Sequence, residues 1–168
     1  MTETENQNIS ADAAVKKILL DRTQRMLEAV VDEVMTREVL TVDTGDLTAK
    51  AARLILDNGV LGLLVMKEGR AHNMVTATDL LRLSYEEVFD ENRDYLRMTV
   101  GELVADKEFV SVPGGTKVRE LLNIMVERRT RAVPIIDGGL IRGLVSMSDL
   151  IKWYRDTHAE VRTGRLPG

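Results

Sequence analysis

Two stretches of this chain set a hydroxyl and a carboxylate three residues apart: Ser146-Met147-Ser148-Asp149 and Thr76-Ala77-Thr78-Asp79. Each follows an apolar run and opens a segment with helical apolar spacing, Leu150, Ile151 and Trp153 in the first case, so each pair sits where a strand hands over to a helix. At that spacing the two groups make a capping box in outline. The hydroxyl accepts from the N3 amide and the carboxylate reaches back, although Asp is shorter than the usual Glu or Gln. Such a cap stabilises by roughly 0.5–2 kcal/mol and accounts for both motifs without any ligand. What else they do depends on what the fold brings beside them.

Other reactive side chains offer less. His72 and His158 have no carboxylate or histidine at ligand spacing, which reads as surface or turn histidines rather than metal ligands. Glu86-Glu87 and Asp90-Glu91 read as a solvated helix face, and Arg128-Arg129 as cations following a helix. Eight methionines are spread as core filler. No nucleophile stands beside a base, so an enzyme with its own turnover finds no support. There is no cysteine, which excludes thiol chemistry and fits a reducing, cytoplasmic setting. With 44% hydrophobic and 30% charged residues and a net charge of −4, the composition is globular and lacks a nucleic-acid footprint. The polar start, Met1 to Asn8, argues against a signal peptide, and the longest apolar run, Val60 to Met66, is too short for a membrane span.

The elements that must hold the two motifs come as an internal repeat. Sliding the chain on itself by 70 residues superimposes Val42, Gly45, Gly69, Val75, Asp79 and Leu80 on Val112, Gly115, Gly139, Val145, Asp149 and Leu150 without a gap. Each copy reads as β-α-β-β-α. A short strand ends at Thr41-Val42 or Ser111-Val112, and a cap at Asp46 or Thr116 opens a helix striped by Leu47, Ala51, Leu54 and Ile55 or by Val118, Leu121, Leu122 and Met125. Asn58-Gly59 closes the first of these helices. A Gly-containing hairpin follows, Asp137-Gly138-Gly139 in the second copy, and then the motif helix. One copy buries too little to be secure alone, so two should pair about a pseudo-twofold axis.

Residues 1 to about 10 read as disordered. From Ser10, taken as an N-cap, a helix is expected to about Val31 with Val15, Ile18, Leu19, Met26, Leu27 and Val30 on a face that must be buried against its own domain or a second copy. The expected division is 1–30 for this start, 31–90 and 100–156 for the repeats, 91–99 for a linker after a helical extension from Ser84, and 157–168 for a tail.

The tandem β-α-β-β-α unit, the G-h-h-S/T-x-x-D ending of a copy and Val34-Met35-Thr36 at the opening of the first resemble a cystathionine β-synthase (CBS) domain pair. The resemblance covers about Val31 to Tyr154 and implies an α/β (α+β) fold and a module standing alone. It also implies a cleft between repeats for an adenosine derivative: AMP, ADP, ATP or S-adenosylmethionine. By that resemblance Asp149 accepts from the ribose hydroxyls, two oxygens suiting a diol. Ser146 lies by the ribose or phosphate at the helix start, where N–H groups and the dipole favour an anion. Arg131 holds phosphate oxygens. Ser111, Val112, Val133 and Pro134 wall the adenine, and Gly143 is the motif's glycine. The first copy keeps Thr41, Val42, Thr76 and Asp79 as a weaker site. It has Asn73 for the glycine, and Leu61 and Leu64 where the second copy has Arg131 and Pro134.

The expected function is a non-enzymatic sensor, homodimeric, passing a ligand-induced change to an effector protein, with no nucleic acid or membrane as partner. The alternative is a dimerisation or docking scaffold with vestigial sites, its motifs retained as caps.

Overall fold

Gly138 and Gly139, at φ of 55° and 85°, supply the two positive-φ positions of a tight hairpin between β4 (Ala132–Asp137) and β5 (Leu140–Ser146). Glu68 and Gly69, at 51° and 76°, do the same between β2 (Gly62–Lys67) and β3 (Arg70–Thr76). Both hairpins carry a register shift at the same place, between Val65 and Met66 and between Ile135 and Ile136, so the duplication extends to backbone irregularities. The computed structural model describes residues 3–87 and 94–163; Val88 and Phe89, expected in the helical extension, lie outside them.

In the first repeat β1 (Thr41–Asp43) runs parallel to β2. The crossover helix α3 (Thr48–Asn58) ends on Gly59 at φ 62°, and α4 (Ala77–Glu87) follows β3. In the second, α6 (Val118–Glu127) crosses over and α7 (Met147–Thr163) follows β5. Arg129 takes up the same left-handed turn, at φ 51°, that Gly59 makes 70 residues earlier. The strand expected at Ser111-Val112 shrinks to a single parallel bridge, Val112 to Ile135. Thr44 N–H continues the first ladder to the Met66 carbonyl, whereas its counterpart Gly114 N–H is captured by the Asp137 carboxylate. Caps differ too. Asp46 accepts from Asp43 N–H and Lys50, Thr116 donates to the Pro113 carbonyl, and the helices start one residue later at Leu47 and Lys117 with no side-chain cap. Those two backbones pair instead with Thr99 and Val30.

That pairing reveals an exchange. Val34-Met35-Thr36, expected to open the first repeat, packs on the second. The short helix α2 (Val31–Val34) and Met35 join Val112, Val118, Leu121, Val133, Ile135 and Val145 in one buried cluster, and Thr36 pairs with Leu144 of β5 through two 2.9 Å hydrogen bonds. Conversely α5 (Val100–Leu103) and Val104, which lead into the second repeat, complete the cluster of Val42, Ala51, Ile55, Leu63, Val65 and Val75 in the first. Each sheet face is closed by the segment preceding the other copy, which makes the two repeats one pseudo-twofold body. Val31 and Val100 are fully buried. Val31→Ala is therefore expected to cost about 2 kcal/mol and to expose β4 and β5 amides first in hydrogen exchange, while Val100→Ala does the same to β2 and β3.

Helix α1 (Glu3–Glu28) begins earlier than expected: Ser10 lies inside it, since no Pro or Gly interrupts Glu3 to Ile9. Its C-terminal end docks on the second repeat, where Ala29 is buried, Met26 packs on the cluster, and Glu28 takes hydrogen bonds from Lys117 and Arg119. The upstream apolar face is uncovered within the chain: Val15, Ile18, Leu19 and Leu20 are exposed. No described helix is long and apolar enough to cross a membrane.

Candidate functional site

The second motif sits at one end of the β4–β5 sheet. Ser146 ends β5 opposite Ala132, and Met147 N–H bonds the Arg131 carbonyl at 3.0 Å, which sets the start of α7 beside Arg131. Val112 N–H bonds the Pro134 carbonyl at 3.1 Å, so Ser111 and Val112 run alongside Val133 and Pro134. The residues named from the sequence are thus brought to one edge. Val112, Val133, Pro134 and Gly143 are buried in it, Ser146 and Asp149 are half-buried, and Ser111 and Arg131 are exposed.

Asp149 makes the cap. Its Oδ2 accepts from Ser146 N–H at 2.7 Å and from the Ser146 hydroxyl at 2.5 Å, and Asp149 N–H bonds Ser146 Oγ at 3.2 Å. Its other oxygen, Oδ1, accepts from the Thr36 hydroxyl at 2.8 Å. Thr36 is exposed, so that second bond faces water. Among the described residues the Arg131 side chain has no hydrogen-bond or ion-pair partner, leaving an uncommitted guanidinium at the helix start. Gly143 is required because Thr36 crosses it: a Cβ there would lie 2.7 Å from the Thr36 carbonyl oxygen and 2.8 Å from Met35 Sδ.

The first motif has the same cap and a different cover. Asp79 Oδ2 accepts from Thr76 N–H at 2.8 Å and from the Thr76 hydroxyl at 2.7 Å, and then from the Lys107 ammonium at 2.6 Å. Lys107 also donates to the Met74 carbonyl at 3.0 Å. Burial pushes the Asp79 carboxyl up, but hydrogen bonds from Lys107 and Thr76 and the lysine's charge outweigh it and hold the group below its ordinary value. Asn73, the counterpart of Gly143, is buried and donates to the carbonyls of Val104 and Lys107 at 3.3 and 2.8 Å. Its amide thus holds the crossing segment where the second repeat uses backbone pairing. Leu61 and Thr41 are exposed, Leu64 and Val42 buried.

Sequence reasoning missed Thr36 and Lys107. They lie 113 and 28 residues from the carboxylates they hold, and only the exchange of leading segments brings them there. A third cluster ties the exchange down: Arg142 donates to Asp137 at 2.9 Å and to Asp32 at 3.2 Å, while Gly114 and Gly115 N–H groups bond the same two carboxylates. His72 belongs to no metal cluster, and among the described residues no group of three or more His, Cys, Asp or Glu could hold a metal ion.

A sequence model described as the CBS domain matches residues 31–86 and 100–156. Protein MJ1225 of Methanocaldococcus jannaschii is 27% identical over 158 residues, which cover 89% of this chain and 56% of that protein. Protein MJ1404 of the same organism is 30% identical over 164 residues, covering 89% and 36%. The chain therefore spans about half or less of the length of these curated relatives. Among solved structures, a proposed signal-transduction protein with CBS domains from Burkholderia ambifaria aligns with a TM-score of 0.65 at 28% identity, over 74% of this chain and 93% of that one. The crystal structure of MJ1225, described as a proposed archaeal homologue of γ-AMPK, aligns at 0.67 and 26% over 83% and 52%. With both β-α-β-β-α copies matched and the same fold in these neighbours, the chain belongs to the CBS domain family as a tandem pair.

Proposed function

We propose that this CBS pair is a regulatory sensor whose second repeat binds an adenosine-containing ligand such as AMP, ADP, ATP or S-adenosylmethionine. The observation that carries the reading is the state of Asp149. Its outer oxygen is held by one exposed, neutral hydroxyl, from Thr36. A ribose hydroxyl is a donor of the same kind, so the ligand exchanges hydroxyl for hydroxyl and leaves the Ser146 cap intact. Arg131, beside the helix start and without a partner among the described residues, supplies the cation that a phosphate or a carboxylate tail seeks. The kinship to MJ1225 supports the adenosine class.

The output follows from Thr36. The segment it belongs to runs back through α2 into α1 and forward into β1 of the first repeat, so a ligand that takes Asp149 from Thr36 favours a different seating of that segment. A ligand can shift an equilibrium only if one arrangement binds it more tightly, and this hydroxyl exchange supplies the difference. A homodimer in the cytoplasm and an effector protein downstream complete the reading.

The scaffold reading draws on one observation, the uncovered apolar face of α1 at Val15, Ile18, Leu19 and Leu20. Thermal melting against AMP, ADP, ATP, S-adenosylmethionine and NADH separates the two. A ligand at a hundred times its dissociation constant adds about 2.7 kcal/mol and raises the midpoint by several degrees. Asp149→Ala is expected to abolish the rise, and Asp79→Ala to alter it less. If no compound moves the midpoint, the scaffold reading replaces the sensor.

A further inference from the structure

The backbones of the two leading segments are seated alike. Val31 N–H bonds the Thr116 carbonyl at 2.9 Å as Val100 N–H bonds that of Asp46 at 2.7 Å, and the N–H groups of Val118 and Thr48 bond Ala29 and Met98, both at 2.9 Å. The following residue differs. Gly101 lies directly on Thr44: its N–H bonds the Thr44 carbonyl at 2.8 Å, and a Cβ there would stand 2.9 Å from that oxygen. At the matching place stands Asp32, whose carboxylate accepts from Gly115 N–H at 2.7 Å and from the Arg142 guanidinium at 3.2 Å.

The side-chain anchors divide the same way. Residues 95–107 are held out of water. The Thr48 hydroxyl donates to the Tyr95 carbonyl, the Asn73 amide to the carbonyls of Val104 and Lys107, and Lys107 to Asp79, whose side chain is 12% exposed. Residues 26–36 are held in it. Glu28, which pairs with Lys117 and Arg119, is 43% exposed; Asp32 and Arg142 are 26% and 44% exposed, and Thr36 meets Asp149 at the surface.

We infer that residues 26–36 form a strap latched by Arg142, which lifts from the second repeat as a unit while residues 95–107 stay seated on the first. An exposed ion pair contributes much less than a charged hydrogen bond shielded from water, because solvent replaces the lost partner. Lifting the strap returns Glu28, Asp32 and Thr36 to water, and Arg142 keeps Asp137, to which it donates at 2.9 Å. Lifting residues 95–107 breaks the Lys107–Asp79 pair and both Asn73 bonds. Both segments bury apolar side chains, Ala29, Val31, Val34 and Met35 in one and Tyr95, Val100 and Val104 in the other, so the polar anchors set the order of opening. The opening undocks the end of α1 and uncovers the second repeat's core. It needs no ligand, so it stands apart from the adenosine reading.

Native-state hydrogen exchange on the full chain, read amide by amide and corrected for intrinsic rates, tests the strap. Val31 and Val118 are expected to exchange through one common opening, at least roughly tenfold faster than their counterparts Val100 and Thr48. Two changes probe the latch: Arg142→Met, and NaCl at about 1 M, where the screening length falls to ~3 Å. Each should speed the first pair several-fold and leave the second unchanged. Glu28→Gln takes the place of Arg142→Met should that variant fail to fold. Equal rates at the matched positions, a faster second pair, or both pairs moving alike with salt and substitution overturns the strap. A fast first pair indifferent to salt and to the substitution overturns it too, since the latch would then hold nothing.

Discussion

Lys107→Met is expected to lower the unfolding free energy by about 3–5 kcal/mol at neutral pH, because it leaves Asp79 charged, buried and without its cation. With side-chain exposures of 12% for Asp79 and 30% for Lys107 the carboxylate is buried and the pair part-buried, so solvent replaces the lost partner only in part. The pH dependence identifies the cause. Asp79 is held below the ordinary aspartate value of 3.8 in the folded chain, so its contribution is complete above about pH 4 and declines as pH falls through the lower, folded value. In Lys107→Met the acid group no longer gains from a cation, and protonating it relieves the penalty. Urea unfolding at pH 7 and pH 3 should show the gap between the two proteins closing in acid. Adding Asp79→Asn should restore most of the loss at pH 7, since a neutral amide needs no counter-charge. A gap that persists in acid, or a double variant as weak as the single, would mean that the lysine matters for its packing and not for its charge.

Gly143→Ala is the second large effect, expected at about 3 kcal/mol. Its Cβ would sit 2.7 Å from the Thr36 carbonyl oxygen and 2.8 Å from Met35 Sδ, and the first of these is backbone that cannot turn aside. Relief means pushing the crossing segment off β5, which gives up the paired bonds between Thr36 and Leu144 and the Thr36 hydroxyl's hold on Asp149. Hydrogen exchange should therefore report lost protection at Thr36 and Leu144 before the hairpin itself loosens. Equal protection in variant and parent would show that the segment shifts without letting go. The same substitution has no counterpart at Asn73, whose side-chain amide holds the crossing segment through the carbonyls of Val104 and Lys107.

These two sites mark where reading residues in order succeeds and where it stops. The hairpin turns were legible because positive φ at Gly138, Gly139 and Gly69 is a property of the residue itself. The boxes at Thr76–Asp79 and Ser146–Asp149 were legible because the partners are three residues apart and any helix start brings them together. The offset of 70 carried even the register shifts. Asp46 and Thr116 failed as caps because a competing tertiary pairing, of Leu47 with Thr99 and of Lys117 with Val30, had already claimed the helix entries.

By itself, then, the order of amino acids determined the duplicated β-α-β-β-α unit, its turns and its two capped carboxylates, all of which depend on contacts within a few residues. Tertiary structure alone decided which repeat each leading segment completes, and hence that a threonine faces one carboxylate and a lysine the other. An apolar segment such as Val31 to Met35 carries no mark of the sheet it will cover, since burial rewards area without regard to address. Its side is set by which arrangement closes both cores at once, and that is a property of the whole chain.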